Sequence, residues 1–154
     1  RMEGGGRFMA NVYDVAAYIL HEKGAVSGWK LQKLCYYCQA WSLAWTEHPL
    51  FPEDFQAWSN GPVCPPLFHQ HKGHFTVSEQ NISQKLLSPE GLTGDQKDTI
   101  DKVLEHYGDW EPYELRERSH DEDPWKNARG GIPEDAPSCQ VISKESMGEY
   151  YGSL

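Results

Sequence analysis

Between Leu31 and Trp45 the chain carries an almost unbroken apolar segment, and no other feature constrains the fold as much. Leu31, Leu34, Cys35, Cys38, Trp41, Ser42 and Trp45 recur at three- and four-residue steps, and Tyr37, Leu43 and Ala44 add a second flank. A helix that is apolar over more than half of its circumference belongs at the centre of a core. Ser27 and Gly28 open this helix. Pro49 stops it, because the residue before a proline disfavours helix. The Trp41 and Trp45 face is predicted to lie in the core.

The remaining elements read as cover for that helix. Asn11 and Asp14 form a capping box ahead of Val12, Val15, Ala16 and Ile19, with Gly24 as the stop. Phe55, Ala57 and Trp58 predict a short extended segment that ends in an Asn60-Gly61 turn. Pro65 and Pro66 start a short helix over Leu67 to Lys72. Phe75 to Leu87 is weakly patterned, with room for one or two short strands. Thr93 and Gln96 make a second capping box, and Ile100, Val103, Leu104 and Tyr107 give a helical stripe to Gly108. Pro112 starts another helix with Tyr113, Leu115 and Ser119 inward, and Asp121 to Pro124 breaks it. Arg129 to Ser138 reads as a loop. Ser143 caps a last helix through Met147, Tyr150 and Tyr151. The fold class expected is mainly α (α+β): a compact single-domain helical fold around a central apolar helix, with a small β component.

A length of 154 residues suits one such domain. Residues 1–8 read as an expression remnant, and residues 9–154 as the domain. The apolar stretches are broken well short of the ~20 residues that a spanning helix needs, so no membrane association is expected. The opening residues lack the apolar core of a signal peptide. A cytoplasmic location and four reduced cysteines are therefore expected.

The net charge of −9 repels phosphate, and nucleic acid is not expected as a partner. The acid is unevenly placed. Met9 to Phe75 carries four Lys/Arg and five Asp/Glu, whereas Thr76 to Leu154 carries eight and 17. Asp95 to Asp123 alone holds four basic and 11 acidic residues. For any single charge the plain reading is a solvated helix face. Taken together, the run suits docking of a basic protein.

Candidate chemistry is sparse. Cys35-Tyr36-Tyr37-Cys38 is a C-x-x-C, but redox pairs sit at helix starts, where the dipole lowers a thiol pKa. Mid-helix and on the apolar face, these cysteines read as packing. Cys64, His69, His71 and His74 cluster within eleven residues and, with Cys35 and Cys38, offer a possible zinc set, although the spacing makes a poor knuckle. His120 beside Asp121, Glu122 and Asp123 fits a general base, but more often such a histidine ties a helix end to a loop. No nucleophile elbow, phosphate loop, dinucleotide fingerprint or H-E-x-x-H motif occurs. The expectation is no catalytic set, no metal and no cofactor. A metal- or thiol-dependent enzyme built on the Cys/His cluster is the rival reading.

Several linked motifs resemble one family. Leu31-Gln32-Lys33-Leu34-Cys35-Tyr36-Tyr37-Cys38-Gln39-Ala40-Trp41 resembles the L-Q-K-L-x-Y-Y-x-Q signature of the Panacea antitoxin domain, which includes SocA-like and phage-associated GepA-like proteins. Ala57-Trp58-Ser59-Asn60-Gly61-Pro62-Val63 resembles its A-W-x-x-G-P-V segment. Ser119-His120 and Pro124-Trp125 resemble its (T/S)-H … P-W element, and Tyr150-Tyr151 its closing aromatic pair. The family's usual residue at Cys35 and Cys38 is Leu or Ala, which favours packing there.

The resemblance implies a non-enzymatic antitoxin of a bacterial or phage toxin–antitoxin pair. Its partner would be a protein toxin encoded by a neighbouring gene, such as a small alarmone synthetase or a translation inhibitor. The mechanism implied is direct contact; the alternative is an adaptor that delivers the toxin to a protease. Two surfaces are candidates for the contact. One is the turn at Trp58, Asn60, Gly61 and Pro62. The other is the acidic run Glu105, Asp109, Glu111, Glu114 and Glu117.

Overall fold

The computed structural model describes residues 9–82 and 91–154. The proposed remnant at residues 1–8 and the weakly patterned residues 83–87 lie outside the described residues. Helix α1 spans Val12–Lys23. Strand β1, Val26–Ser27, leads directly into α2, Gly28–Thr46. The hairpin β2 (Phe55–Trp58) and β3 (Gly61–Val63) follows, then α3 (Pro65–His71) and β4 (Thr76–Val77). After a turn of 3-10 helix come α4 (Gly94–Tyr107), α5 (Pro112–His120), α6 (Asp123–Arg129), β5 (Val141–Ile142) and α7 (Lys144–Gly152). The fold is mainly helical with a small β component, as expected.

Helix α2 is the core. Every residue from Leu31 to Ala40 is buried, and α7, α4, α1, α5, α3 and β3 all pack against it. The local signals for its neighbours are realised as read. Asn11 and Asp14 close a capping box on α1, and Thr93 and Gln96 close one on α4. Ser27 accepts from the Lys30 amide at the start of α2, and Ser143 caps α7. The stop of α2 falls at Glu47, the non-glycine residue with positive φ (65°) among those described, two residues before Pro49.

Three expectations need correction. Trp45 is 49% exposed and Trp41 is only half-buried, because the last turn of α2 outruns its cover; the Lys102 ammonium lies 5.7 Å over the Trp45 ring. Tyr113 is 67% exposed, since the nine-residue α5 buries only Leu115, Ser119 and His120. Pro124 begins a helix as well as following a break. At the first turn of α6 its missing N–H costs nothing, so α5 and α6 are separated only by Asp121 and Glu122.

Two small antiparallel sheets complete the fold. In one, β1 pairs with β4, Val26 opposite Val77. In the other, the order is β3-β2-β5. Ala57 lies opposite Pro62, and Phe55 opposite Ile142. The turn of the β2–β3 hairpin is Ser59-Asn60. Gly61 is already in β3, paired with Trp58, at a φ of 107°.

Candidate functional site

Family-signature positions on α2 that are polar point inward, and the two glutamines among them clamp backbone. The Gln32 side chain accepts from the Cys64 amide (2.8 Å) and donates to the Cys64 carbonyl (3.3 Å), while its amide nitrogen also meets His71 Nε2 (3.0 Å). Gln39 does the same for the following loop: it accepts from the Leu50 amide (2.8 Å) and donates to the Phe51 carbonyl (2.7 Å). Both amides thereby satisfy buried backbone outside the strands.

The tyrosines close a second network. Tyr37 and Tyr151 both donate to Glu122 Oε1, at 2.8 and 2.7 Å, and the Tyr36 and Tyr151 hydroxyls meet at 3.2 Å. Burial raises the Glu122 carboxyl, against the two hydroxyl bonds that favour its charged form. Tyr37 stacks on Tyr107 (4.2 Å, 11°), whose hydroxyl accepts from Trp41 Nε1 (3.1 Å).

The hairpin is held from α6. Trp125 Nε1 donates to the Trp58 carbonyl (2.9 Å), and the Trp125 ring stacks flat on His120 (3.8 Å, 10°). His120 Nδ1 meets Glu134 Oε2 at 2.9 Å. Burial lowers the His120 pKa, opposed by that carboxylate, so His120 ties a helix end to the 130s loop. Arg129, 3% exposed, spreads its guanidinium over the carbonyls of Ala57, Pro133, Glu134 and Ala136, and lies 4.8 Å over the Trp125 ring. Pro124 is buried in the same region, and Pro62 and Val63 are buried in β3.

Lys33 is different. Its side chain is buried (1% exposed) and its Nζ has no hydrogen-bond partner among the described residues. The amine lies 5.4 Å from the Trp29 ring centroid. A Cβ on Gly61 would stand 2.4 Å from Lys33 Cε and 3.3 Å from both Lys33 Nζ and Ser119 Oγ. The amine therefore sits under the hairpin glycine, beside Ser119. Burial pulls its pKa down to about 7, and the Arg116 guanidinium adds to the effect.

A pH dependence follows. The unfolded chain keeps this proton up to about 10.4. The unfolded state thus binds more protons than the folded one between pH 7 and pH 10.4, and stability rises with pH across that window. Below pH 7 the whole penalty of a buried charge applies. Lys33→Met should therefore be more stable than the wild type at pH 6, by about 1–4 kcal/mol. In urea unfolding the gap should narrow steadily towards pH 10. A gap that does not depend on pH would disprove this account of Lys33.

The two sequence-predicted surfaces meet at one point. Trp58 is half-buried, Asn60 exposed, and Gly61 buried. All five acids are exposed. Arg116 Nη2 donates to the Ser59 carbonyl (3.4 Å) and Arg116 Nη1 to Glu117 (2.7 Å), which brings Glu117 to the hairpin. The others stand apart. Asp109 is bound to Lys23 of α1 (2.9 Å), and Glu111 with Glu114 forms the capping box of α5.

The thiols do not form a site. Cys35, Cys38 and Cys64 are buried and their pKa values are raised by burial, that of Cys64 to about 12. His71 is buried against Gln32, and His69 and His74 are exposed. Among the described residues no group of three or more His, Cys, Asp or Glu is placed to hold a metal ion. No helix of the described residues is long and apolar enough to cross a membrane.

Glu122, Arg129, Tyr107 and Trp29 carry roles that the sequence alone did not assign. Glu122 and Tyr107 left a trace, Glu122 as one acid among three after His120 and Tyr107 as the end of an apolar stripe.

No curated protein and no solved structure matches the chain. Residues 31–126, more than half of its length, match the family described as Antitoxin SocA-like, Panacea domain, and the chain belongs to that family.

Proposed function

We propose that this protein is an antitoxin that neutralises a protein toxin encoded by a neighbouring gene, through direct contact between folded surfaces. Family membership is the observation that carries the reading. The architecture agrees with it. The signature glutamines fix the backbone on either side of the hairpin, at Phe51 and Cys64, Tyr37 holds Glu122 ahead of α6, and Trp125 of the P-W element binds the hairpin itself at Trp58. What they present outward is a short turn with Trp58 and Asn60 at its edge and the Arg116–Glu117 pair beside it. A surface that is already folded binds with little ordering cost. The acid along α4 and α5 favours a basic partner and speeds encounter.

Co-expression with the neighbouring open reading frame is the test. That gene alone should arrest growth, and this protein should relieve the arrest. A neighbour that is harmless alone, or that stays lethal beside this protein, disproves the reading. Asp109, Glu111, Glu114 and Glu117 have intramolecular roles, so charge reversal is best confined to Glu105. Glu105→Lys should slow association and flatten its salt dependence, with the fold intact.

A further inference from the structure

Phe75 is 84% exposed, more than any other large apolar side chain among the described residues. Its backbone is nonetheless pinned. The Gly28 amide donates to the Phe75 carbonyl (3.2 Å), the His74 amide donates to the His71 carbonyl (2.9 Å), and Thr76 pairs with Ser27 in the β1–β4 sheet. The ring is thus held out in water on a fixed backbone, where it adds nothing to the core. It borders a surface cleft of about 280 Å³. Trp29 and Phe68, both half-buried, give the cleft its apolar wall, stacked with ring centroids 5.8 Å apart. Phe68 also meets Trp58 of the hairpin edge-on (5.2 Å), so one aromatic surface runs from the cleft to the turn. Small-molecule sites enclose about 300–1,000 Å³, and this cleft is smaller and suits a single large side chain.

We propose that this cleft docks a segment of the neutralised protein that carries one large apolar side chain next to an Asp or Glu; the site rests on the antitoxin reading above. Charge selects that chemistry. The titratable side chains lining the cleft are His71, Lys72 and His74, and no Asp or Glu lines it among the described residues. The Lys33 amine lies 5.4 Å over the Trp29 ring. This is a basic spot on a chain whose net charge is −9. The incoming apolar side chain packs on Phe75, Trp29 and Phe68, and its neighbouring carboxylate meets the exposed Lys72. Exposed aromatic patches on soluble proteins mark contact surfaces, and rings fixed in advance lose little entropy on binding. The two charged regions have different roles. The acidic face of α4 and α5 draws basic proteins in general, and the cleft selects the one that brings an apolar side chain and an acid together.

Calorimetry with the product of the neighbouring gene is the test. Phe75→Ala should lose about 30-fold or more in affinity, as loss of an aromatic anchor does, and should melt within about 2 °C of wild type. Lys72→Glu should lose about fivefold, and one Asp→Lys or Glu→Lys change in the partner should recover most of that loss. Affinity within about threefold of wild type for Phe75→Ala, or a Lys72→Glu loss that no partner acid reverses, overturns the proposal. So does a Phe75→Ala chain that no longer folds, since the ring would then serve the fold. Sedimentation of the chain alone checks the other occupant: a monomer is expected, and a dimer that Phe75→Ala dissolves makes the cleft a self-contact and ends the proposal. If the wild-type chain does not bind the neighbour's product, the antitoxin reading fails, and NMR titration with the capped dipeptide acetyl-Asp-Phe-amide decides the site. Saturable shifts of the Trp29 and Phe75 ring signals, weaker with acetyl-Asn-Phe-amide, keep it; their absence ends it.

Discussion

Arg129→Met is expected to destabilise the protein by about 3–5 kcal/mol, because it removes several charge-assisted hydrogen bonds at once, each worth about 1.5–3 kcal/mol. The guanidinium is the shared donor for four carbonyls. One belongs to β2, at Ala57, and three to the loop after α6, at Pro133, Glu134 and Ala136. Methionine keeps the volume and removes every donor. The buried Ala57 carbonyl then pays its desolvation unpaired. Arg129→Lys should recover little, because a single ammonium cannot fork across oxygens set on two segments. Denaturant unfolding measures the loss, and limited proteolysis locates it. The segment from Gly130 to Gln140 should become cleavable before α2 or α4. A loss below about 1 kcal/mol would mean that water takes over these carbonyls, and that the loop owes its shape to something else.

Gly61→Ala is the second large effect, with an expected cost of about 2–4 kcal/mol. Two causes add. A φ of 107° strains any residue with a Cβ, and this Cβ would overlap Lys33 Cε at 2.4 Å. The causes separate in a double-mutant cycle. With Lys33→Ala in place the overlap disappears and only the backbone strain remains, so the cost of Gly61→Ala should fall by about 1–2 kcal/mol. Additive costs would show that hairpin and lysine are independent, contrary to the geometry of the site.

Features carried by neighbouring residues were legible in the sequence. The capping boxes at Asn11/Asp14 and Thr93/Gln96 involve residues three apart, and both form. The burial of Leu31, Leu34, Cys35, Tyr37 and Cys38 on α2 follows from its periodicity. What failed depended on where other elements end. Nothing within the helix says that the cover over α2 stops short of Trp45, or that α5 is too short to bury Tyr113. Strands β1 and β5, two residues each, exist only because partners distant in sequence meet them, Thr76 for Ser27 and Phe55 for Ile142. At the site, the Asn-Gly turn chemistry announced a hairpin, although the turn residues proved to be Ser59-Asn60. The placement of Lys33 beneath Gly61 left no local mark. A lysine within an apolar helix reads as a break in the stripe until the residue that covers it is known.

The tyrosine–glutamate network has a consequence in time. Tyr36 and Tyr151 are 115 residues apart, and α7 packs on the same helix that nearly every other element touches. At ~5–20 residues per second, translation separates these two tyrosines by roughly 6–23 s. Throughout that interval α2 has left the ribosome with the flank meant for α7 still open, and Glu122 has at most one of its two hydroxyl donors. Contacts of such long range also close slowly. Newly made chains therefore pass through a window in which the most apolar helix is within reach of chaperones and proteases. The supply of finished protein is set by how quickly α7 closes that window as well as by how fast the message is read.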